Sequence, residues 1–165
     1  MCRMVQYQGI LTGVDEEVDE RRRLLVLIAA TAGATLIPLN TSMLSVAMAP
    51  ITSAFDVSLT TGVWLVLIYL TIMTSLQPVA GKLGDRYGHA RVFLLGLVSF
   101  AAASAGAAVA PTFPLLVVMR GLQGLAGCAL APNATALIRL TYPRERQGHA
   151  LGLYVSVFSL GLTLG

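Results

Sequence analysis

Three stretches of this chain carry no charged side chain at all: residues 24–55, 57–81 and 92–119. Each is longer than the roughly 20 residues a helix needs to cross a hydrocarbon core of about 30 Å. Runs of this kind leave a soluble fold without enough charge to cover its surface. A soluble domain is about 25% charged, whereas this chain is 12% charged and 56% hydrophobic, with a mean hydropathy of +0.76. The expectation is an all-α integral membrane protein, because lipid offers no partners for exposed backbone polar groups and a helix satisfies them internally.

The net charge of +3 raises the question of a nucleic-acid partner, and the distribution excludes it. The basic residues flank the apolar runs and form no patch interleaved with exposed aromatics. Four lie before residue 24, three in 81–91 and three in 139–146, while 49–61 and 110–114 have none. By the positive-inside rule the N-terminus is cytoplasmic and the helices alternate from there. The protein is expected to be multi-pass, in a plasma or cell inner membrane. Cys2 and Cys128 are not expected to pair, one being terminal and the other inside an apolar run. No CxxC or Cys/His spacing calls for a metal, and no cofactor is expected.

Residues 1–23 read as a flexible cytoplasmic leader with an acidic cluster at Asp15, Glu16, Glu17, Asp19 and Glu20. Ala30-Thr31-Ala32 resembles a signal-peptidase site, but the preceding segment is too long and acidic and the apolar run too extended for a signal peptide. Residues 24–165 read as a bundle of helices over about 24–48, 62–80, 92–110 and 115–140, with a fifth from 150 still running at 165. Pro38 is a candidate kink in the first, Ala49-Pro50 its close, and Pro132 a candidate kink in the fourth. Trp64 suits a membrane interface, and the small-residue run at 101–108 suits close helix approach.

Residues 81–91, GKLGDRYGHAR, read as a short charged turn between the second and third helices. Gly81, Gly84 and Gly88 permit tight backbone geometry. Asp85 can cap a helix or accept hydrogen bonds from Arg86 or Arg91. A generic positive-inside loop explains the arginines but not three glycines around an aspartate.

GKLGDRYG at 81–88 resembles the signature loop of the major facilitator superfamily. Further matches follow in order: RGLQGLAGCALAP at 120–132 is similar to the fourth-helix motif, and PRERQGHALG at 143–152 to the next cytoplasmic loop. GLTLG at 161–165, with Gly161 and Gly165, is similar to the opening of the fifth-helix antiporter motif. LNTSMLSVAMAPI at 39–51 resembles the first-helix motif of the multidrug/proton antiporter branch. The resemblance covers residues 24–165 and implies about four and a half helices of an N-terminal six-helix bundle. It further implies alternating access against a second bundle, a small-molecule substrate and proton coupling. The 81–91 turn would then be a latch against that missing C-terminal half. Two positions depart from the pattern. His89-Ala90-Arg91 stands where a basic run is usual, and Asn40 stands where the antiporters often carry an acid that can titrate.

Arg120 is the one formal charge well inside an apolar span, and an intramembrane ionisable residue is by default a functional candidate. Gln123, Gly124, Gly127 and Ala131 share its helix face. Snorkelling to the headgroups is the alternative, and the resemblance, in which this arginine and glutamine handle substrate or protons, favours function. Asn40 either lines a cavity or makes a buried interhelical hydrogen bond. Met43, near the same face, suits an adaptable pocket or plain packing, and Gln77 is a weaker cavity candidate. Asn133 reads as packing, and His89 and His149 as solvated loop residues. No Ser/His/Asp set, paired carboxylates or phosphate loop points to an enzyme. The leading expectation is a proton-coupled exporter of small hydrophobic compounds, represented by an N-terminal fragment because the last helix stops abruptly. The alternatives are a truncated or partner-dependent membrane protein that transports nothing, and an uptake transporter for a polar nutrient.

Overall fold

The computed structural model describes the backbone of residues 2–164 and the side chains of residues 20–163 apart from Arg22. Among these every regular element is a helix: α1 (Cys2–Ala54), α2 (Leu59–Gly62), α3 (Trp64–Tyr87), α4 (His89–Ala108), α5 (Phe113–Gly127), α6 (Leu130–Thr141) and α7 (Arg144–Leu164). Four spans are long and apolar enough to cross a bilayer: Arg23–Ala54, Leu59–Tyr87, His89–Ala108 and Phe113–Thr141. With α7 this is the all-α membrane bundle expected.

The element ends differ from the sequence reading for identifiable reasons. The segment read as a flexible leader continues α1, whose backbone is helical from Cys2; adding turns to an existing helix needs no new nucleus. Pro50 lies inside α1 instead of closing it. A proline removes a single helical hydrogen bond, and close by the Thr52 hydroxyl donates to the carbonyls of Met48 (3.0 Å) and Ala49 (3.1 Å). The helix stops where Asp56 takes φ 51°. Val57 N–H then reaches back to the Thr52 carbonyl (3.0 Å) and Asp56 N–H to that of Ser53 (3.3 Å). This is a Schellman closure with aspartate where glycine is usual. Ser58 starts the return path early: its Oγ accepts from Thr61 N–H at 3.2 Å, an N-cap that begins the helix at Leu59 and not at 62.

The 81–91 segment is not an eleven-residue turn. α3 runs through it to Tyr87 and α4 begins at His89, so Gly88 alone separates the two helices, at φ 96° and ψ 124°. That conformation is open to glycine and strained for other residues. The expected fourth helix is divided between α5 and α6 at Cys128 and Ala129. Pro132 is the cause, since its ring is pushed against the carbonyl four residues earlier, at Cys128. α7 starts at Arg144 because Pro143 initiates it: the Arg146 and Gln147 N–H groups donate to the Pro143 carbonyl at 2.9 and 3.1 Å.

In the bundle α5 packs on α3 and α4, α6 packs on α1 and α4, and α7 lies along α1. Leu65, Tyr69, Leu130 and Ile138 are fully enclosed, at 0–1% exposure. Lipid is as apolar as these side chains, so helix association depends on close packing and interhelical hydrogen bonds. Gly124 sets the α3–α5 distance: a Cβ there would sit 2.7 Å from the Tyr69 carbonyl oxygen. That contact places the next turn of α5, with Arg120, against the other helices.

Candidate functional site

Arg120 stands seven residues into α5, roughly 10 Å of rise from its start. Its Nη1 donates to Asn40 Oδ1 of α1 at 2.9 Å and to Gln123 Oε1, one turn on, at 3.0 Å. Gln123 is 2% exposed, and its Nε2 donates to Ser104 Oγ of α4 at 2.7 Å. The chain Asn40–Arg120–Gln123–Ser104 thus joins α1, α5 and α4 through polar side chains within apolar spans. Tyr69 of α3 completes the group. Its hydroxyl is within electrostatic reach of Asn40, Thr41 and Arg120 but forms no well-aligned hydrogen bond with them. Interhelical hydrogen bonds of this kind contribute about 0.6 kcal/mol each on average in a membrane protein.

Asn40, Arg120 and Gln123 therefore come together, and the guanidinium turns to α1 and not along its own helix to the membrane surface. Met43 and Gln77 do not join them. Met43 is 63% exposed on α1, and Gln77 is half-buried on α3 and makes none of the cluster's hydrogen bonds. Tyr69 and Ser104 were missed in the sequence. The available signals were a phenol in mid-span, where its hydroxyl needs a partner, and the single hydroxyl inside a run of alanines and glycine.

The glycines differ in what they touch. A Cβ on Gly127 would meet nothing closer than 3.7 Å, whereas one on Gly161 would lie 2.8 Å from Thr35 Cγ2 and 3.1 Å from Pro38 Cγ of α1. Gly165 lies outside the described residues. A cavity of about 980 Å³ between α3, α4 and α5 is almost wholly apolar, with Tyr87 and Arg91 at the α3–α4 junction, and none of the Arg120 group lines it. Among the described residues no cluster of His, Cys, Asp or Glu is arranged to hold a metal.

The α3–α4 junction is a second polar centre. His89, read as a solvated loop residue, has a side chain only 14% exposed. Its Nδ1 is 2.8 Å from Asn133 Oδ1 of α6, and its Nε2 is 3.3 Å from Asp85 Oδ1 of α3. Asn133 is 0% exposed and donates through Nδ2 to the carbonyls of Ala80 (3.3 Å) and Ala129 (2.8 Å). Asp85 therefore sits in the last turn of α3 facing His89; it caps no helix and is not paired with Arg86 or Arg91. Arg86 instead lies over the Tyr87 ring, 5.5 Å from its centroid. Gly84 makes room for the junction, since a Cβ there would overlap both Asn133 Oδ1 and His89 Nδ1. Gly81 faces Pro132 at ordinary distance. Near the same end, Arg146 Nη1 donates to Glu20 Oε1 at 3.3 Å, joining α1 to α7 through two exposed side chains.

Over 137 residues the chain is 36% identical to the uncharacterized MFS-type transporter YvkA of Bacillus subtilis, covering 83% of this chain and 31% of that protein. It is 32% identical over 139 residues to the tetracenomycin C resistance and export protein of Streptomyces glaucescens, covering 84% of this chain and 26% of that protein. It is 37% identical over 131 residues to the multidrug efflux pump LfrA of Mycolicibacterium smegmatis, covering 79% of this chain and 26% of that protein. The chain thus spans between about a quarter and a third of the length of these relatives. The family pattern of the Major Facilitator Superfamily is matched by residues 30–165, from the first apolar span to the last residue. On that match and those identities, the chain belongs to the Major Facilitator Superfamily.

Proposed function

We propose that the chain forms the first helices of a secondary transporter that exports small hydrophobic compounds in exchange for protons, by alternating access between two bundles. The observation that carries this reading is the buried Asn40–Arg120–Gln123–Ser104 chain. Polar groups inside a bilayer are costly and mark substrate or ion pathways, and a site at a repeat interface near mid-membrane is the usual place for them in such transporters. The relatives from Streptomyces glaucescens and Mycolicibacterium smegmatis are named for export and multidrug efflux, which supports an outward direction.

In this reading Asn40, Arg120 and Gln123 face the pathway, with Met43 and Gln77 further along it. Gly124 and Gly161 set helix spacing, whereas Gly127 has room for a side chain. Gly81, Asp85, Arg86, Gly88 and Arg91 form the cytoplasmic face that meets the second bundle. The N-terminus is cytoplasmic, and the Glu20–Arg146 contact supports placing the start of the first span and the α6–α7 loop on one side. Asn40 cannot titrate, so the coupled proton is carried elsewhere in the whole protein. The work proposed is binding and movement, without covalent chemistry.

The test is energised transport by the full-length protein in inside-out vesicles, with and without Arg120→Ala. A hydrophobic dye should accumulate inside under an imposed proton gradient, and Arg120→Ala should abolish this without loss of protein from the membrane. Unchanged coupled transport in Arg120→Ala would return Arg120 to a snorkelling role. Uptake of a sugar or organic acid into right-side-out vesicles, with no dye export, would replace the exporter reading by nutrient uptake.

A further inference from the structure

We infer that the Arg120 group binds an anion, so that the compound moved is a hydrophobic acid and not a neutral or cationic molecule. This rests on the transport reading above and narrows its substrate. The argument is a census of donors and acceptors. Arg120 brings five N–H donors, a fixed positive charge and no acceptor. Its Nη1 is directed at two neutral amide oxygens, Asn40 Oδ1 and Gln123 Oε1. Arg120 Nε has no acceptor among the described residues, and the neighbouring Asn40 Nδ2 and Tyr69 hydroxyl make no well-aligned hydrogen bond. All three belong to side chains that touch or closely face one another. Tyr69 is 1% exposed and packs in the same apolar cluster as Ile37 and Met73.

Turning the amides over does not balance the site. A reversed Asn40 or Gln123 would point its NH₂ at the guanidinium, which has only donors to offer. No Asp or Glu among the described residues pairs with Arg120. A guanidinium surrounded by apolar helices requires a counter-charge, and a neutral oxygen does not provide one. The complement of this group is a compact anion with several acceptor lone pairs, for which a carboxylate is the natural fit to a guanidinium. A cation would meet donors and a like charge, and a neutral amide would leave the charge uncompensated. The carboxylate can belong to the transported compound or to another part of the same polypeptide, and the experiment separates the two.

The purified full-length transporter in lipid nanodiscs would be titrated with three probes of one shape: 2-naphthoate, 2-naphthamide and (2-naphthylmethyl)trimethylammonium. Hydrogen bonds to a charged group imply that naphthoate binds about ten- to a hundredfold more tightly than the amide, with the ammonium weakest. Arg120→Gln should erase this preference. Tyr69→Phe, which removes one oxygen, should weaken naphthoate several-fold and leave the amide and the circular dichroism unchanged. Equal binding of the three probes, or a preference that survives Arg120→Gln, would overturn the inference. So would a transporter that ignores naphthoate, the result expected when a carboxylate of the polypeptide already occupies Arg120. Naphthoate binding without any transport in vesicles would sink the transport reading and leave the anion site standing. Export of the amide and ammonium with no preference for the acid would do the opposite.

Discussion

Replacing Gly124 with alanine tests the packing on which the Arg120 group depends. The added Cβ would lie 2.7 Å from the Tyr69 carbonyl oxygen and 3.3 Å from both Tyr69 Cα and Ile72 Cβ. Two of these atoms are backbone, so no side-chain rotation relieves the contact. Ordinary contact begins at 3.4 Å, which requires α5 to withdraw from α3 by about 0.7 Å. Overpacking of this size costs about 1–3 kcal/mol. Arg120 is one turn away on the same face, and a similar shift stretches its 2.9 Å bond to Asn40 past useful length, for about 0.6 kcal/mol more. Alanine regains up to about 1 kcal/mol of helix propensity, which leaves a net loss of roughly 0.5–2.5 kcal/mol. Gly127→Ala has the same propensity gain and no contact under 3.7 Å, so it should be neutral or stabilising by up to about 1 kcal/mol. The assay is reversible unfolding of the full-length transporter in mixed dodecyl maltoside and SDS micelles, followed by circular dichroism. If Gly124→Ala and Gly127→Ala behave alike, the close approach of α5 to Tyr69 is not what spaces these helices and the reasoning fails.

Two further perturbations follow from the cytoplasmic end. Asn133→Leu removes the acceptor of His89 and leaves its ring nitrogen facing an apolar side chain, and should cost about 1–3 kcal/mol in the same unfolding assay. Because Asn133 commits its amide nitrogen to the carbonyls of Ala80 and Ala129, its oxygen faces His89; nitrogen-15 spectra should show Nδ1 protonated in the wild type, and a spectrum with the proton only on Nε2 would refute the assignment. Breaking the exposed Glu20–Arg146 pair with Glu20→Gln should change stability by less than about 1 kcal/mol, and a larger loss would mean that the contact organises the α1–α7 packing.

The membrane embedding, the helix order and the place of Arg120 in the bundle were legible in the sequence because bilayer crossing imposes a length and a composition on each segment. Charge-free runs longer than a bilayer core admit few other readings, and an arginine within one is conspicuous. Local signals overlooked at first were also present, such as Ser58 ahead of α2 and Pro143 ahead of α7. What the linear pattern could not contain was distance between helices. Gly124 and Gly127 look alike along the chain and differ only because the Tyr69 backbone passes one of them. Tyr69 and Ser104 look like filler in apolar runs until α3 and α4 bring their hydroxyls beside α5. His89 belongs by composition to a charged loop, yet α6 lays Asn133 across it and leaves only 14% of the side chain exposed. Residues acquire these roles from neighbours 19 to 80 positions away, and helical periodicity carries information across only a few turns.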